Sequence, residues 1–122
     1  MSIRDNIRAA QDIESEIIPV PQWKDEAGEP VRLEVRSMSG LARARLLKQA
    51  SGKDGTMNFE KLYPSILIAC CYDPESGERI FDEDDAGWLN DKSAGPVERL
   101  AQAGMRLSGL NQSAADDAKK GS

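Results

Sequence analysis

The clearest pattern in the chain lies at residues 31–36, where Val31, Leu33 and Val35 alternate with Arg32, Glu34 and Arg36. Alternation with a period of two predicts a strand with one buried face. Just upstream, Ile17, Ile18, Val20 and Trp23 are apolar but are interrupted by Pro19 and Pro21. Two prolines one residue apart forbid a helix and disfavour a central strand, so this segment is expected to be extended at a sheet edge. Between the two, residues 24–30 contain Gly28 and Pro30 and read as a turn, which makes a hairpin. Ahead of them Ile3, Ile7 and Ile13 stand among polar neighbours at loose spacing. Residues 1–15 are therefore expected to be a mobile N-terminal arm with a short, frayed helix.

After the hairpin the apolar period lengthens to that of a helix. Ser39 is placed to cap a helix over residues 40–50, with Leu41, Ala44 and Leu47 on one side and Leu46 and Ala50 near it. Asn58 is placed to cap the next, whose stripe is Phe59, Leu62, Tyr63, Ile66, Leu67 and Cys70. Pro64 interrupts that stripe and predicts a kink or a restart. Residues 66–72 are continuously apolar, so a buried strand competes there, but the stripe reaching back to Phe59 favours helix. Residues 73–77 read as a turn and 79–81 as extended. Asp82, with Asp85 three residues later, is a helix start of the capping-box kind, and Trp88 and Leu89 are the apolar side of the short helix it opens. Ser93 is expected to cap the last helix, with Pro96 in its first turn and a stripe of Val97, Leu100, Ala101, Gly104 and Leu107. Gly109 is placed to stop it, with Leu110 as the accompanying apolar contact. Residues 111–122 are small and polar and are expected to be a disordered tail. The fold predicted is α+β, mainly α: a short N-terminal β-hairpin followed by about four helices, in one domain over residues 16–110.

Composition narrows the chemistry. The 122 residues include no His and only two Cys. His general bases, Ser-His-Asp and Cys-His nucleophiles and His-containing zinc sites are excluded, as are four-thiolate zinc sites and a disulfide framework. Cys70 and Cys71 sit in an apolar run and read as buried free thiols. The net charge of −5 disfavours general binding to nucleic acid. No run approaches a membrane span and the N-terminus has no signal-like apolar stretch, so the chain is expected to be soluble and intracellular, with no membrane partner.

Charge is unevenly spread. Residues 41–53 carry Arg43, Arg45, Lys48 and Lys53 and no acid, whereas residues 73–92 carry eight acids and two bases. The two stretches either meet each other or a partner, or are simply solvated faces. A calcium loop counted from Asp73 fails, since positions 5, 6 and 12 are Gly77, Glu78 and Asp84. Helix capping accounts for the acids at 82–85 without a metal. Residues 51–55 contain Gly and Lys but lack the spacing of a phosphate loop. No nucleophile has an evident base, so the residues point to a binding protein with no cofactor and no metal rather than to an enzyme.

The order of motifs carries more than any one of them. It runs Asp12-Ile13-Glu14-Ser15-Glu16, Val20-Pro21-Gln22-Trp23, the alternating strand, and Ser37-Met38-Ser39-Gly40. It continues through the apolar block 66–72, the turn with Gly77, Ile80-Phe81, the acidic 82–89, Lys92-Ser93 and Leu107-Ser108-Gly109-Leu110-Asn111. In this order and spacing the sequence resembles the tail assembly chaperones of long-tailed bacteriophages, encoded upstream of the tape measure protein. Residues 24–30 are longer than that family's usual turn, and residues 41–58 carry no shared motif. The resemblance implies a non-catalytic factor that binds the tape measure protein and keeps it soluble until tail tube protein polymerises around it. It further implies action in the cytoplasm of the infected host and absence from the finished virion. It also implies a longer form, made by a programmed frameshift, that recruits tail tube protein, with Lys119-Lys120 marking a slippery run. A chaperone for a helical client needs an adaptable apolar groove. The candidates to line it are Trp23, Leu41, Leu46, Leu47, Trp88 and Leu89. The rival reading is a structural head-tail connector or tail terminator. Self-association is left open by the sequence.

Overall fold

The computed structural model describes residues 2–52 and 54–110. The expected tail at 111–122 lies outside the described residues. Helix α1 (Ile3–Ala9) precedes an antiparallel sheet of β1 (Ser15–Lys24), β2 (Pro30–Arg36) and the short β3 (Cys71–Tyr72), in the order β1-β2-β3. Between β2 and β3 come α2 (Gly40–Ala50) and α3 (Phe59–Cys70), and after β3 come α4 (Ala86–Asn90) and α5 (Ala94–Leu107). The predicted class, a hairpin followed by helices, is what the chain adopts.

The alternation of β2 does what its pattern requires. Leu33 and Val35 are buried opposite Ile18 and Glu16 of β1, while Arg32, Glu34 and Arg36 stay on the outer face. Helices α3 and α5 cover the inner face. Pro19 pairs in register with Arg32 on an edge strand, where a residue without N–H is tolerated. After Val20 the register breaks until Lys24 meets Pro30, so Pro21, Gln22 and Trp23 bulge from the ladder. The bulge turns Trp23 against the core, and Gln22 Oε1 accepts a bond from Arg99 Nη2 at 3.2 Å. The turn that follows is closed by Asp25, whose Oδ1 accepts from the N–H groups of Ala27 and Glu29.

The helix starts at Ser39, Asn58 and Asp82 form as the residues predict, each with its side chain accepting a backbone N–H. Ser93 differs: it occupies the cap position of α5 but makes no side-chain bond there. The stripe on α2 is also rotated from the expected phase. Leu46 and Ala50 are buried, whereas Leu41 and Ala44 face solvent. On α3, Phe59 is exposed and the buried stripe begins at Leu62. The apolar run 66–72 is divided, with helix through Cys70 and strand for its last two residues.

Pro64 does not restart α3, which is assigned as one helix through it. Its missing N–H would have bonded the carbonyl of Glu60, one turn back. That carbonyl instead accepts the side-chain amide of Asn90, Nδ2 to O at 3.1 Å. The substitute ties the end of α4 to the start of α3. At the other end of the domain α5 stops in a Schellman motif. Gly109, at φ +77°, bonds Arg106 O through its N–H, and Leu110 N–H reaches Met105 O at 2.6 Å. Ser108 Oγ then accepts the N–H of Met38 at 2.8 Å, which fixes α5 to the β2–α2 connection.

The closest packing is between α3 and α5. A Cβ built on Gly104 would stand 2.8 Å from Ile66 Cγ2 and 3.1 Å from Cys70 Sγ. Ile66 is β-branched and stiff in a helix, so it has no cheap way to move. Gly104→Ala is expected to lower stability by about 1–2 kcal/mol, the overpacking penalty outweighing alanine's better helix propensity. Gly87→Ala, within α4 and with open space at its Cβ, should be neutral or stabilising by up to about 1 kcal/mol. Urea denaturation of the two variants checks the contrast.

Candidate functional site

No helix among the described residues is long and apolar enough to cross a membrane. No cluster of carboxylates and thiols among them is arranged to hold a metal. The basic and acidic stretches make no ion pair with each other among the described residues. The pairs formed are Arg36 with Glu34 on the outer sheet face and Arg106 with Glu16. Arg36 also lies 4.0 Å above the ring of Tyr72. The apolar part of the described surface is unevenly prepared for contact.

The six groove candidates separate into three groups. Leu46 and Leu89 are buried in the core, so they shape the surface from beneath and do not line it. Trp23 and Leu47 are half-buried and packed against that core. Leu41 and Trp88 are exposed, 62% and 45%, on separate helices. The structure does not join the six into one groove. Sequence reasoning passed over Ile3, Ile7, Ile17 and Phe59, which are exposed too. The i, i+4 spacing of Ile3 and Ile7 was the available signal. Phe59 forms a tilted pair with Tyr63, ring centroids 5.8 Å apart.

Trp88 is the exposed aromatic that the fold holds most firmly. Asp82 and Asp85 make a capping box, in which Asp85 Oδ2 accepts the N–H of Asp82 at 2.8 Å. The other oxygen of Asp85 accepts the indole N–H of Trp88 at 2.7 Å. Phe81, buried just before the cap, meets the indole edge-on with centroids 5.8 Å apart. Lys92 Nζ lies 5.9 Å from the indole centre. The acids read in the sequence as a helix start thus also fix an aromatic side chain in one orientation. A pre-set aromatic loses little freedom on contact with a partner, the property of an interface anchor.

The thiols are the other titratable groups of note. Burial pushes Cys70 up to about 11, with Arg79 and a bond from Ser108 opposing it in part. Burial, and then the neighbouring Cys70, push Cys71 higher still. Neither is a nucleophile at neutral pH.

No protein-family model matches the chain, and no curated protein matches it. The structure, however, matches that of the bacteriophage HK97 tail assembly chaperone with a TM-score of 0.58 at 19% identity, over 85% of this chain and 91% of that one. The two chains share a fold.

Two outcomes test this chemistry. Asp85→Ala removes both bonds of one carboxylate and is expected to lower stability by about 1–2 kcal/mol. It should also broaden the Trp88 indole N–H resonance, which two-dimensional NMR reads directly. The thiol shifts predict the high-pH behaviour. Because the folded values lie above the ordinary 9.0, their contribution is complete below that pH and is lost as pH rises through the range from 9.0 to about 11. Thermal melts should fall over that window, and less steeply for a Cys70→Ala, Cys71→Ala double variant.

Proposed function

We propose that the protein is a bacteriophage tail assembly chaperone that binds the tape measure protein and keeps it soluble until tail tube protein polymerises around it. The observation that carries this reading is the shared fold with the HK97 tail assembly chaperone across almost the whole of both chains. The ordered sequence blocks from Asp12 to Leu110 support it independently of the backbone. The task asks for reversible apolar contact with a long helix, and no bond need change. Trp88, fixed by Asp85 and Phe81, is the anchor for that contact. The acids around it favour a client face that carries Lys or Arg beside its apolar stripe. In this reading the protein acts in the host cytoplasm and leaves before the virion is complete. A frameshifted form extended beyond residue 120 would bring tail tube protein to the complex.

Co-expression with the tape measure protein of the same phage tests the proposal. The client is expected in the soluble fraction with this chain and in the pellet without it. Trp88→Ala should melt within about 10 °C of the parent, as loss of a half-buried side chain implies, yet release most of the client to the pellet. A client that stays insoluble beside the folded parent protein overturns the reading. Recovery of the chain in stoichiometric amount from purified virions would favour the connector or terminator instead.

A further inference from the structure

Strand β1 is an edge of the sheet, and its two halves are finished differently. Ser37 N–H bonds Glu14 O at 2.8 Å, which sets the phase of the ladder. Bonded pairs in an antiparallel ladder recur at every second residue. Glu16, Ile18 and Val20 therefore turn their N–H and C=O groups to β2, and Ser15, Ile17 and Pro19 turn theirs away from the sheet. Pro19 has no N–H to offer and Pro21 opens the bulge, so the second half of the edge is closed to a further strand. The first half has no such guard. The outward N–H and C=O groups of Ser15 and Ile17 are bonded by no other backbone among the described residues.

The side chains along this half and just ahead of it alternate in charge. Asp12, Glu14 and Glu16 carry carboxylates, and Ile13, Ser15 and Ile17 stand between them. All six are exposed, Ile13 to 52% and Ile17 to 44%. Glu16 is paired with Arg106, whereas Asp12 and Glu14 make no ion pair among the described residues. Successive residues of a strand face opposite sides of the sheet, so the edge offers isoleucine on one side and acid on the other. A second copy of β1 is a poor match for it. Antiparallel pairing centred on Ser15 would set Glu14 opposite Glu16, and like charges directly opposite are destabilising. A strand that alternates apolar residues with Lys or Arg complements both sides.

We propose that the edge of β1 at residues 14–17 takes an extended segment of a partner protein as a further antiparallel strand. The segment alternates apolar side chains with Lys or Arg. Its backbone bonds the N–H and C=O groups of Ser15 and Ile17, its apolar side chains lie beside Ile13 and Ile17, and its cations meet Asp12 and Glu14. Pro19 ends the pairing, which keeps the contact short and reversible. The surface is separate from Trp88 and does not rest on the chaperone reading, whose client is a helix.

The probe is a short peptide of alternating valine and lysine, titrated into the full chain at low salt and followed by two-dimensional NMR. The amide resonances of Ser15 and Ile17 should shift saturably and their exchange with water should slow. A peptide of alternating valine and glutamate should leave them unmoved. Ile17→Pro removes one outward N–H and leaves the β1–β2 bonds in place, and Pro19 already occupies an equivalent position in the same strand. It should weaken binding at least about tenfold, whereas Ile17→Val, which keeps the N–H, should stay within about twofold of the parent. Glu14→Lys should weaken binding about tenfold at low salt, a difference that high salt removes. Directly opposite residues share a side of the sheet, so the valines beside Ile17 are the ones whose amides pair. Methylating the valine nitrogens should abolish binding without touching the protein, and methylating the lysine nitrogens should not. Binding that survives methylation of the valines is charge attraction alone and overturns the proposal, as does the absence of binding to the folded parent. So does protection of the Ser15 and Ile17 amides in the free chain, since the edge is then already occupied.

Discussion

The contact on which the rest of the domain depends is the crossing of α3 and α5 at Gly104. The absence of a side chain there lets the helix backbone approach to where a methyl group would stand 2.8 Å from Ile66. Both helices can then reach the same inner face of a sheet whose third strand is two residues long. A wider spacing would lift one helix from Leu33 and Val35, and a small domain has little other apolar area to offset that. The same approach keeps water from Cys70, which is why a thiol at a helix end behaves as a core side chain. The stop at Gly109 and the bond from Met38 to Ser108 Oγ hold the far end of α5 in place, so the crossing is fixed at two points along the helix.

A second constraint makes α4 part of the structure instead of a loose turn. Proline in a helix interior costs about 3 kcal/mol relative to alanine, and one hydrogen bond returns about 1 kcal/mol. Asn90 therefore offsets only part of the penalty at Pro64. The remainder is met by burial, since Pro64 is among the side chains wholly removed from solvent. The consequence is that the five residues of α4 are tied to α3 at one end and to the Asp82–Asp85 cap at the other. Trp88 stands between the two ties, so the Asn90 bond steadies the short helix on which Asp85 and Phe81 hold the indole.

What was legible in the sequence was whatever local chemistry decides. The alternation of β2, the edge position imposed by Pro19, the caps at Ser39, Asn58 and Asp82 and the stop at Gly109 each need only a few adjacent residues. The misreadings all required knowledge of neighbours. On α2, Leu41 and Leu46 are equally apolar, and only the position of α3 decides that Leu46 turns inward. Phe59 fits its stripe by spacing but is the first residue of α3 and is exposed there. The bulge at 21–23 depends on where β2 begins, and the rescue of Pro64 on a residue 26 positions later. The candidate surface suffered most, because a periodic apolar residue looks the same whether it faces a core or a partner. Absence of His excludes His-based chemistry and nothing further, which is why it narrowed the reading without deciding it.

Two of the exposed apolar features differ in where their entropy is spent. Trp88 is ordered by folding itself, through Asp85 and Phe81, so a partner that touches it loses little more freedom in doing so. Helix α1 is the reverse case. It has a cap but no packing, and whatever it meets must supply the contact that keeps it helical. Gross interaction energy spent on ordering a segment lowers affinity but leaves the contact easy to break. A fixed anchor suits selective recognition of one face, whereas a marginal helix on a short tether suits contacts that form at high local density and dissolve as it falls. This chain keeps the two properties on different elements, so a change to one can leave the other intact.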